Sequence, residues 1–448
     1  MKLSQVVQKL DAKFRGKDRD FKYISIDTRT MKPGSLFIAL KGPRFDAHDF
    51  IQLALERGAV GAIVSRWVTV PLSQIFVNNT HTALMQLANY QRNKVKKTTI
   101  VAVTGSCGKT TTKVLISNIL SQKGNVLTSD GNFNNSIGLS ITLLNLHTKH
   151  KYAVVELGAS RPEEISRLAR ITKPNIAIVT NAGLAHLEGF NNIEGVAKAK
   201  GEIYQELSLN QIAIVNNDDP FANFWKKIIS TRRIITFSCN DKADVTAKNI
   251  SVNFKGYPNF RLILPNGETD IIQLSLLGRH NITNALAAAA VACVENFSIT
   301  TIKFGLENTI AVNRRLVSLK GYRGATIIDD SYNANPLSVS SAIDVLSTFH
   351  KCRLILVLGD MQELGDEKNR LHCYVGKKAF QSGVHELFCY GLLTRYAAKT
   401  FGDHAYYFND QKALLTVLKD HLDKNTVVLV KGSFSMNMGK IVDELIGK

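Results

Sequence analysis

Long apolar runs are missing from this 448-residue sequence. None approaches the ~20 residues that a membrane-spanning helix needs, so no membrane insertion is expected. The N-terminal MKLSQVVQKLDAKF has no continuous apolar core either. It reads as a short amphipathic helix, and a secretory signal is not expected. Cysteines are few: 107, 239, 293, 352, 373 and 389, with no C-x-x-C pair and no framework spacing. That pattern excludes a disulfide scaffold and suits a reducing cytoplasm. Runs of one charge are lacking too. The formal net charge is +19, yet Lys and Arg are spread along the chain, and the densest patch is only Lys94–Lys97. Without a basic run or interleaved aromatics, small anionic substrates are the better match, and no nucleic-acid partner is expected.

What is present suits a soluble globular protein: 45% hydrophobic and 21% charged residues. The length exceeds one ordinary core, so several domains are expected. Three textures divide the chain. Residues 1–97 mix short strands and helices: SLFIAL (35–40), IQLALERG (51–58) and AVGAIVS (59–65). They end in NYQRNKVKK (89–97), which reads as a linker. Residues 98–311 alternate helical stretches with TTIVAVT, YAVVEL, NIAIVT and QIAIVN. Such unalternated β-branched runs suit a mostly parallel sheet covered on both faces. Residues 312–448 repeat the style with ATIIDD, RLILVLGD and TVVLVKGS. No repeat of fixed period and no low-complexity tract occurs.

Each strand is followed by polar residues: Thr104–Thr112, Glu156, Thr180–Asn181, Asp329 and Asp330, Gly359 and Asp360, then Lys431–Ser433. Open α/β sheets bind ligands outside the carboxyl ends of their strands. The sharpest signal is G-S-C-G-K-T, residues 105–110, between a strand and the helical TTKVLISNILSQKG (111–124). Glycines admit phosphate oxygens to backbone N–H groups, and the helix N-terminus favours an anion. Gly105, Ser106, Cys107, Gly108, Lys109, Thr110 and Thr111 are therefore candidate nucleotide-binding residues. Lys109 would reach the β/γ-phosphates and Thr110 would ligate Mg²⁺. The spacing is shorter than the full G-x-x-x-x-G-K-[ST] motif. A glycine-rich turn with an incidental lysine is the alternative. Cys107 suits a position that needs only a small residue.

Mg²⁺ takes few protein oxygens and keeps several waters. Glu156 ends the strand YAVVEL. His186 follows the next strand, in NAGLAHLEGF (181–190), and Lys200 lies in AKAKGEIY (197–204). Taken alone, His186 could equally be a structural histidine and Lys200 a surface lysine.

Together these pieces resemble the Mur ligase family, the ATP-dependent amide-forming enzymes of cell-wall precursor synthesis. The resemblance covers nearly the whole chain. It rests on DTRTMKPGSLFIALKGPRFDAHDF (27–50), VTGSCGKTTT (103–112), GNFNNSIGLSITLL (131–144), ELGA (156–159), AHLEGF (185–190), AKAKGEIY and GRHNITNALAAAA (278–290). In the third region it rests on DDSYNANP (329–336), LGDMQELG (358–365) and LVKGS (429–433). The phosphate loop is shared by the whole family. RFDAHDF with DDSYNANP is specific to the member that adds a dipeptide.

The resemblance implies three α/β domains: a small N-terminal domain (1–97) for a UDP-precursor, a central P-loop-type ATPase domain (98–311), and a Rossmann-like C-terminal domain (312–448) for the incoming dipeptide. It implies ATP and Mg²⁺. Its substrates would be UDP-N-acetylmuramoyl-tripeptide and D-alanyl-D-alanine, joined through an acyl phosphate, and a monomer is expected. Lys109, His186, Lys200 and Asn333 would be catalytic. Thr110 and Glu156 would serve the nucleotide Mg²⁺ and His186 a second metal. Lys200 matches a lysine that several members carry as a CO₂ adduct; here a carbamate and a free amine both stay open. Asn281 and Asn284 would lie near the adenine, although NALAAAAVA itself reads as a packed helix. Arg315 would reach the ATP phosphates and Asp330 the nucleotide. Asn333 and Asn335 would place the dipeptide, while Tyr332 would stack or simply pack. Lys431 and Ser433 share that rim with a weaker case. Thr28, Arg29, Lys41, Phe45 and His48 would bind the UDP end, and Asn134 and Asn135 the muramyl-peptide. The Asp46–His48–Asp49 cluster reads as a hydrogen-bonded loop in preference to a metal site.

Departures occur. AVNRRL (311–316) stands where relatives have Pro-Val-x-Gly-Arg-Leu, Ser140 where Pro is common, and Phe434 where an Arg is frequent. One rival within the family adds another amine, a diamino acid or glutamate. A folate-glutamylating enzyme would lack RFDAHDF. A rival of another class is a nucleotide switch or nucleic-acid-associated ATPase, suggested by the +19 charge.

Overall fold

The computed structural model describes residues 1–448 apart from Arg44, Asn132 and Lys448. Arg44 of RFDAHDF and Asn132 of GNFNN thus lie outside the described residues. The chain divides into two compact units. One comprises Met1–Ile100, Asn125–Leu157 and Arg167–Pro174; the other comprises Val101–Gly124, Gly158–Ser166 and Asn175–Lys448.

In the first unit the amphipathic N-terminus forms the helix Leu3–Leu10, with Leu3 and Val6 buried. A five-stranded sheet runs in the order Lys13–Arg15, Gln74–Phe76, Gly61–Val64, Ser35–Ile38, Tyr23–Ser25. Its first pair is antiparallel and the rest are parallel. Side chains alternate across a strand. Leu36, Ile38, Ile63 and Ile75 accordingly pack with Leu3 and Leu84 on one face, while Phe37, Ala62 and Val64 pack with Ile51 and Ala54 on the other. This is why SLFI reads as an unbroken apolar run. The same unit holds the parallel strands Val126–Thr128 and Tyr152–Glu156.

The linker expected at 89–97 is corrected by the structure. The helix Thr80–Lys94 runs through most of it, capped where the Asn79 side chain accepts a hydrogen bond from the Thr82 N–H. The Gln, Asn and Lys residues are its polar face, and Ala83, Leu84, Leu87 and Ala88 its buried one. Arg92 is also buried. Its guanidinium donates to the carbonyls of Thr172, Val95 and Lys173 at 3.0, 3.0 and 3.2 Å. A polar composition misled because the helix buries one side only.

The second unit carries the strand order Thr99–Thr104, Ile176–Val179, Ile212–Asn216, Arg233–Ser238, Val245–Val252, all parallel. Two antiparallel strands, Pro258–Ile263 and Thr269–Gln273, extend it. That extension has the alternating burial of a half-covered sheet, and its weaker pattern escaped the sequence reading. The helices Lys109–Ser121 and His280–Val294 pack together, and the latter buries its alanines nearly all round. A six-stranded sheet follows, in the order Val317–Lys320, Thr326–Asp330, Thr426–Lys431, Arg353–Gly359, Glu386–Tyr390, Ala405–Phe408. Only its first pair is antiparallel. Among the described residues no helix is long and apolar enough to cross a membrane.

Replacing Arg92 by Ala should strip three carbonyls, two of them in buried bonds, of their donor. We expect a loss of about 2–4 kcal/mol in a denaturant titration, with Arg92→Lys recovering only part because it lacks the fork of donors.

Candidate active site

The strand Thr99–Thr104 delivers the chain into a loop that only glycine can follow at two points. Gly105 has φ +143° and Gly108 φ +81°. A side chain at Gly105 would meet the Thr180 hydroxyl, and one at Gly108 the Asn284 amide. The loop is clamped from one side by Asn181. Its carbonyl accepts from Ser106 N–H at 3.0 Å, its Oδ1 accepts from Cys107 N–H at 2.9 Å, and its Nδ2 donates to Cys107 O at 3.1 Å. Lys109 begins the helix and folds back, its Nζ donating to Gly105 O at 2.8 Å. Thr110 is buried in the first turn. A glycine-lined helix start with a cation over it fits a phosphate.

Asn281 and Asn284 are buried and bonded in series. Thr112 donates to Asn284 Oδ1 at 3.2 Å, Asn284 Nδ2 to Asn281 Oδ1 at 2.8 Å, and Asn281 Nδ2 to Leu277 O at 2.7 Å. In this arrangement the two side chains brace the helix that carries the loop.

Lys200 lies on the helix Ile193–Gln205, whose N-terminus is capped by Asn192. It is buried and not on the surface. Its Nζ is 3.4 Å from Ala159 O and 5.3 Å from the centre of the Phe190 ring. Burial, helped by the charge of Lys109, pushes its ammonium down to about 7. His186 stands at the left-handed φ of +55°. Its Nδ1 is 2.5 Å from Glu363 Oε2, in ion-pair contact though not aligned as a hydrogen bond in this rotamer. The interaction with His186 holds the Glu363 carboxyl below its usual range. Glu363 belongs to LGDMQELG, and its pairing with His186 had no local signal in the sequence.

In the third sheet Asp330 and Lys431 end paired strands in register. Lys431 Nζ is 2.5 Å from Asp330 Oδ2 and donates to Asn333 O at 2.9 Å. Burial raises the Asp330 carboxyl, and Lys431 opposes this. Lys431 is therefore a structural partner of the acid. Asn333 Oδ1 accepts from Phe434 N–H at 3.2 Å. Asn335 caps the helix Pro336–Ser347, accepting from Ser338 N–H at 2.8 Å, with Pro at the first helical position. Its Nδ2 lies 3.3 Å from Cys107 Sγ, so DDSYNANP touches the phosphate loop directly. Burial pushes the Cys107 thiol up, as a small packed residue requires. Ser433 accepts from Gln362 N–H at 2.8 Å. The Arg315 guanidinium sits 4.0 Å above the Tyr332 ring, so Tyr332 stacks. Arg314 adopts φ +62°, the conformation a glycine would take there, and pairs with Asp443 at 3.0 Å. Phe434 is 66% exposed beside Tyr332.

In the first unit Glu156 is buried at its strand end, and its Oε1 accepts from Asn134 Nδ2 at 3.0 Å. Asn135 caps the helix Ser136–Leu144 by accepting from Gly138 N–H. Ser140 bonds the Ser136 carbonyl within that helix. Thr28 is buried, Arg29 is exposed and paired with Asp27 at 2.7 Å, and Lys41 and Phe45 are exposed. His48 is buried, with Nδ1 2.5 Å from Asp46 Oδ1 and Nε2 accepting from Ser65 N–H at 2.9 Å. Both ring nitrogens hold the loop in this arrangement. The cluster is the hydrogen-bonded loop expected.

Among the described residues no three His, Cys, Asp or Glu side chains gather. Mg²⁺ does not need such a cage. The donors in the second unit are the Thr110 hydroxyl, the His186 imidazole and Lys200, a lysine of lowered basicity. A hydroxyl and an imidazole suit an Mg²⁺ that keeps its waters.

A glycine loop opening a helix, with a buried lysine in the same unit, defines a phosphate-handling enzyme. Comparison with known proteins narrows the class. The family models Mur ligase family, catalytic domain, Mur ligase middle domain, and Mur ligase, glutamate ligase domain match residues 20–101, 103–292 and 314–434. The chain belongs to the Mur ligase family, and its fold is three α/β domains. It is 42% identical to the UDP-N-acetylmuramoyl-tripeptide–D-alanyl-D-alanine ligase of Escherichia coli, over 99% of this chain and 98% of that one. Its Haemophilus influenzae counterpart is 39% identical, with the same coverage. The crystal structure of MurF from Acinetobacter baumannii superposes with TM-score 0.92 at 32% identity, covering 99% and 98% of the two chains. MurF ligase from Thermotoga maritima, in complex with ADP, gives 0.84 at 27% identity, covering 94% and 96%.

Removing the cation from the buried Asp330 pair should be costly. Lys431→Met is expected to lose about 3–5 kcal/mol of stability, since it leaves a buried carboxylate unpaired. Adding Asp330→Asn should recover most of that in the same unfolding titration.

Proposed function

We propose that this chain is an ATP-dependent amide ligase. It joins D-alanyl-D-alanine to the tripeptide carboxylate of UDP-N-acetylmuramoyl-tripeptide, in cytoplasmic peptidoglycan precursor synthesis. The observation that carries this is the contact between Cys107 and Asn335. It brings the phosphate loop against DDSYNANP, the stretch that distinguishes the dipeptide-adding member, in a chain aligned over its full length with ligases of that name.

A carboxylate is a poor acyl donor, because its leaving group would be oxide. Transfer of the γ-phosphoryl group of ATP makes an acyl phosphate. The dipeptide amine then adds to its carbonyl, and the tetrahedral adduct expels phosphate to leave the amide. Both steps bring anions together. Lys109 and the N-terminus of the helix that it begins neutralise that charge. Mg²⁺, held by Thr110, Glu156, His186 and Lys200, would add further charge neutralisation. At about 7 the Lys200 amine is substantially neutral at physiological pH. A neutral amine can add CO₂ with loss of a proton, turning a buried cation into an anionic metal ligand. Asn333 and Asn335 place the dipeptide, while Asn281, Asn284 and Arg315 attend the adenine and phosphates, with Asp330 beside them. Residues 1–97 with Asn134 and Asn135 hold the UDP-muramyl end, residues 98–311 bind ATP, and residues 312–448 bring the dipeptide. The enzyme acts as a monomer.

The test is phosphate release from ATP with the UDP-tripeptide present and the acceptor varied. Release should require D-alanyl-D-alanine. Release with glutamate or a diamino acid would move the enzyme to another step, and release driven by RNA alone would refute the ligase. For Lys200, ¹³C-labelled bicarbonate should give a carbamate resonance that Lys200→Arg lacks. Because protonation blocks the adduct, the signal should fade as pH drops below about 7. A spectrum without that resonance at pH 8 would leave Lys200 a free amine.

A further inference from the structure

The stretch NNDDP, residues 216–220, follows the strand Ile212–Asn216 and plays no part in the reading above. It holds a buried carboxylate, Asp219, whose oxygens face backbone alone in the hydrogen bonds they make. Oδ2 accepts from Ala182 N–H at 2.8 Å and Oδ1 from Phe221 N–H at 2.9 Å. Burial raises this carboxyl above its ordinary range despite both bonds. A charged group kept in such a place at that cost is holding something.

Ala182 lies in the middle of the strip that clamps the phosphate loop. Along residues 180–183 the polar groups look two ways. Asn181 and Gly183 face the loop: Asn181 makes the three bonds to Ser106 and Cys107, and Gly183 N–H donates to Ser106 Oγ at 2.9 Å. Thr180 O and Ala182 N–H face the other way, to Asn216 Nδ2 at 2.8 Å and to Asp219. The strip is thus pinned from behind by NNDDP and shapes the loop in front. It then runs on to His186. A bond to an ionised acceptor is the stronger of its two anchors.

We infer that Asp219 is a positioning residue for the nucleotide site: by fixing Ala182 it sets the aperture of the phosphate loop and the start of the segment that carries His186. The inference rests on residues 105–111 being the nucleotide loop. Asp219 touches none of the reacting atoms. Its effect reaches the phosphates through Asn181 and Ser106, where a displacement of about 1 Å is enough to weaken transition-state contacts severely.

The test uses the full-length enzyme and measures ADP affinity by calorimetry, with KM for ATP and for D-alanyl-D-alanine. Asp219→Ala should raise the ADP Kd and the ATP KM by about tenfold, leaving the dipeptide KM unchanged. Asp219→Asn keeps one acceptor oxygen and should fall between the two. Asn181→Ala, which cuts the same relay at its front, should reproduce the nucleotide defect even where Asp219→Ala proves too unstable to purify. Wild-type ADP affinity and ATP KM in folded Asp219→Ala, or in Asn181→Ala, would overturn the inference. Lys109→Ala separates the two claims. If it too binds ADP normally, the loop assignment has failed; if it loses ADP while the relay variants keep it, only the positioning role is lost.

Discussion

A short segment of backbone must turn tightly between a strand and a helix while everything around it is closed. Loop 105–108 meets this demand with two glycines at positive φ, because the Thr180 hydroxyl and the Asn284 amide leave no room for a side chain. The loop's other polar groups cannot be left unpaired so close to the core. Asn181 and Thr180 satisfy Cys107 and Ser106 on one side. The Asn284–Asn281 series steadies the following helix on the other. Asn335 reaches the Cys107 thiol from the third sheet. Much of the second unit's polar architecture is the consequence of holding that one loop.

Charge is handled in two opposite ways within the same unit. Lys431 is buried but keeps a carboxylate partner at 2.5 Å. Lys200 is buried against a carbonyl and the Phe190 ring, with Lys109 among its charged neighbours. Desolvation then wins over protonation. One lysine ties Asp330 and Asn333 together, and the other has no carboxylate beside it in the hydrogen bond it makes. Their residue type is the same; the difference is the partner.

Much was legible beforehand. The apolar runs at Thr99–Thr104, Ile176–Val179 and Ile212–Asn216 announced a doubly covered parallel sheet, because every position in them after half-buried Thr99 and Ile212 is removed from water. The Asn-Pro at 335–336 starts a helix by its own chemistry, a signal that the sequence reading left unused. The stretch 89–97 was misread because its polar residues cover one face of a helix while Arg92 points into the core. The strands at 258–273 gave a weaker, alternating pattern. The Asp46–His48–Asp49 cluster was legible as a hydrogen-bonded loop, and Asp46 and Ser65 do meet the two ring nitrogens.

The sequence by itself determined the local elements, the phosphate loop and the family to which the chain belongs. Those follow from the spacing of apolar residues, from glycine's backbone freedom and from capping chemistry, all acting within a few residues. Only the tertiary structure decided which distant groups meet: His186 with Glu363, Asn335 with Cys107, Asp219 with Ala182. It also decided that Lys200 is buried with its ammonium pushed down to about 7 and that Lys431 meets the carboxylate of Asp330. These depend on burial and on partners as many as 228 residues apart. Desolvation is a property of the packed interior, and the interior exists only once the chain has folded.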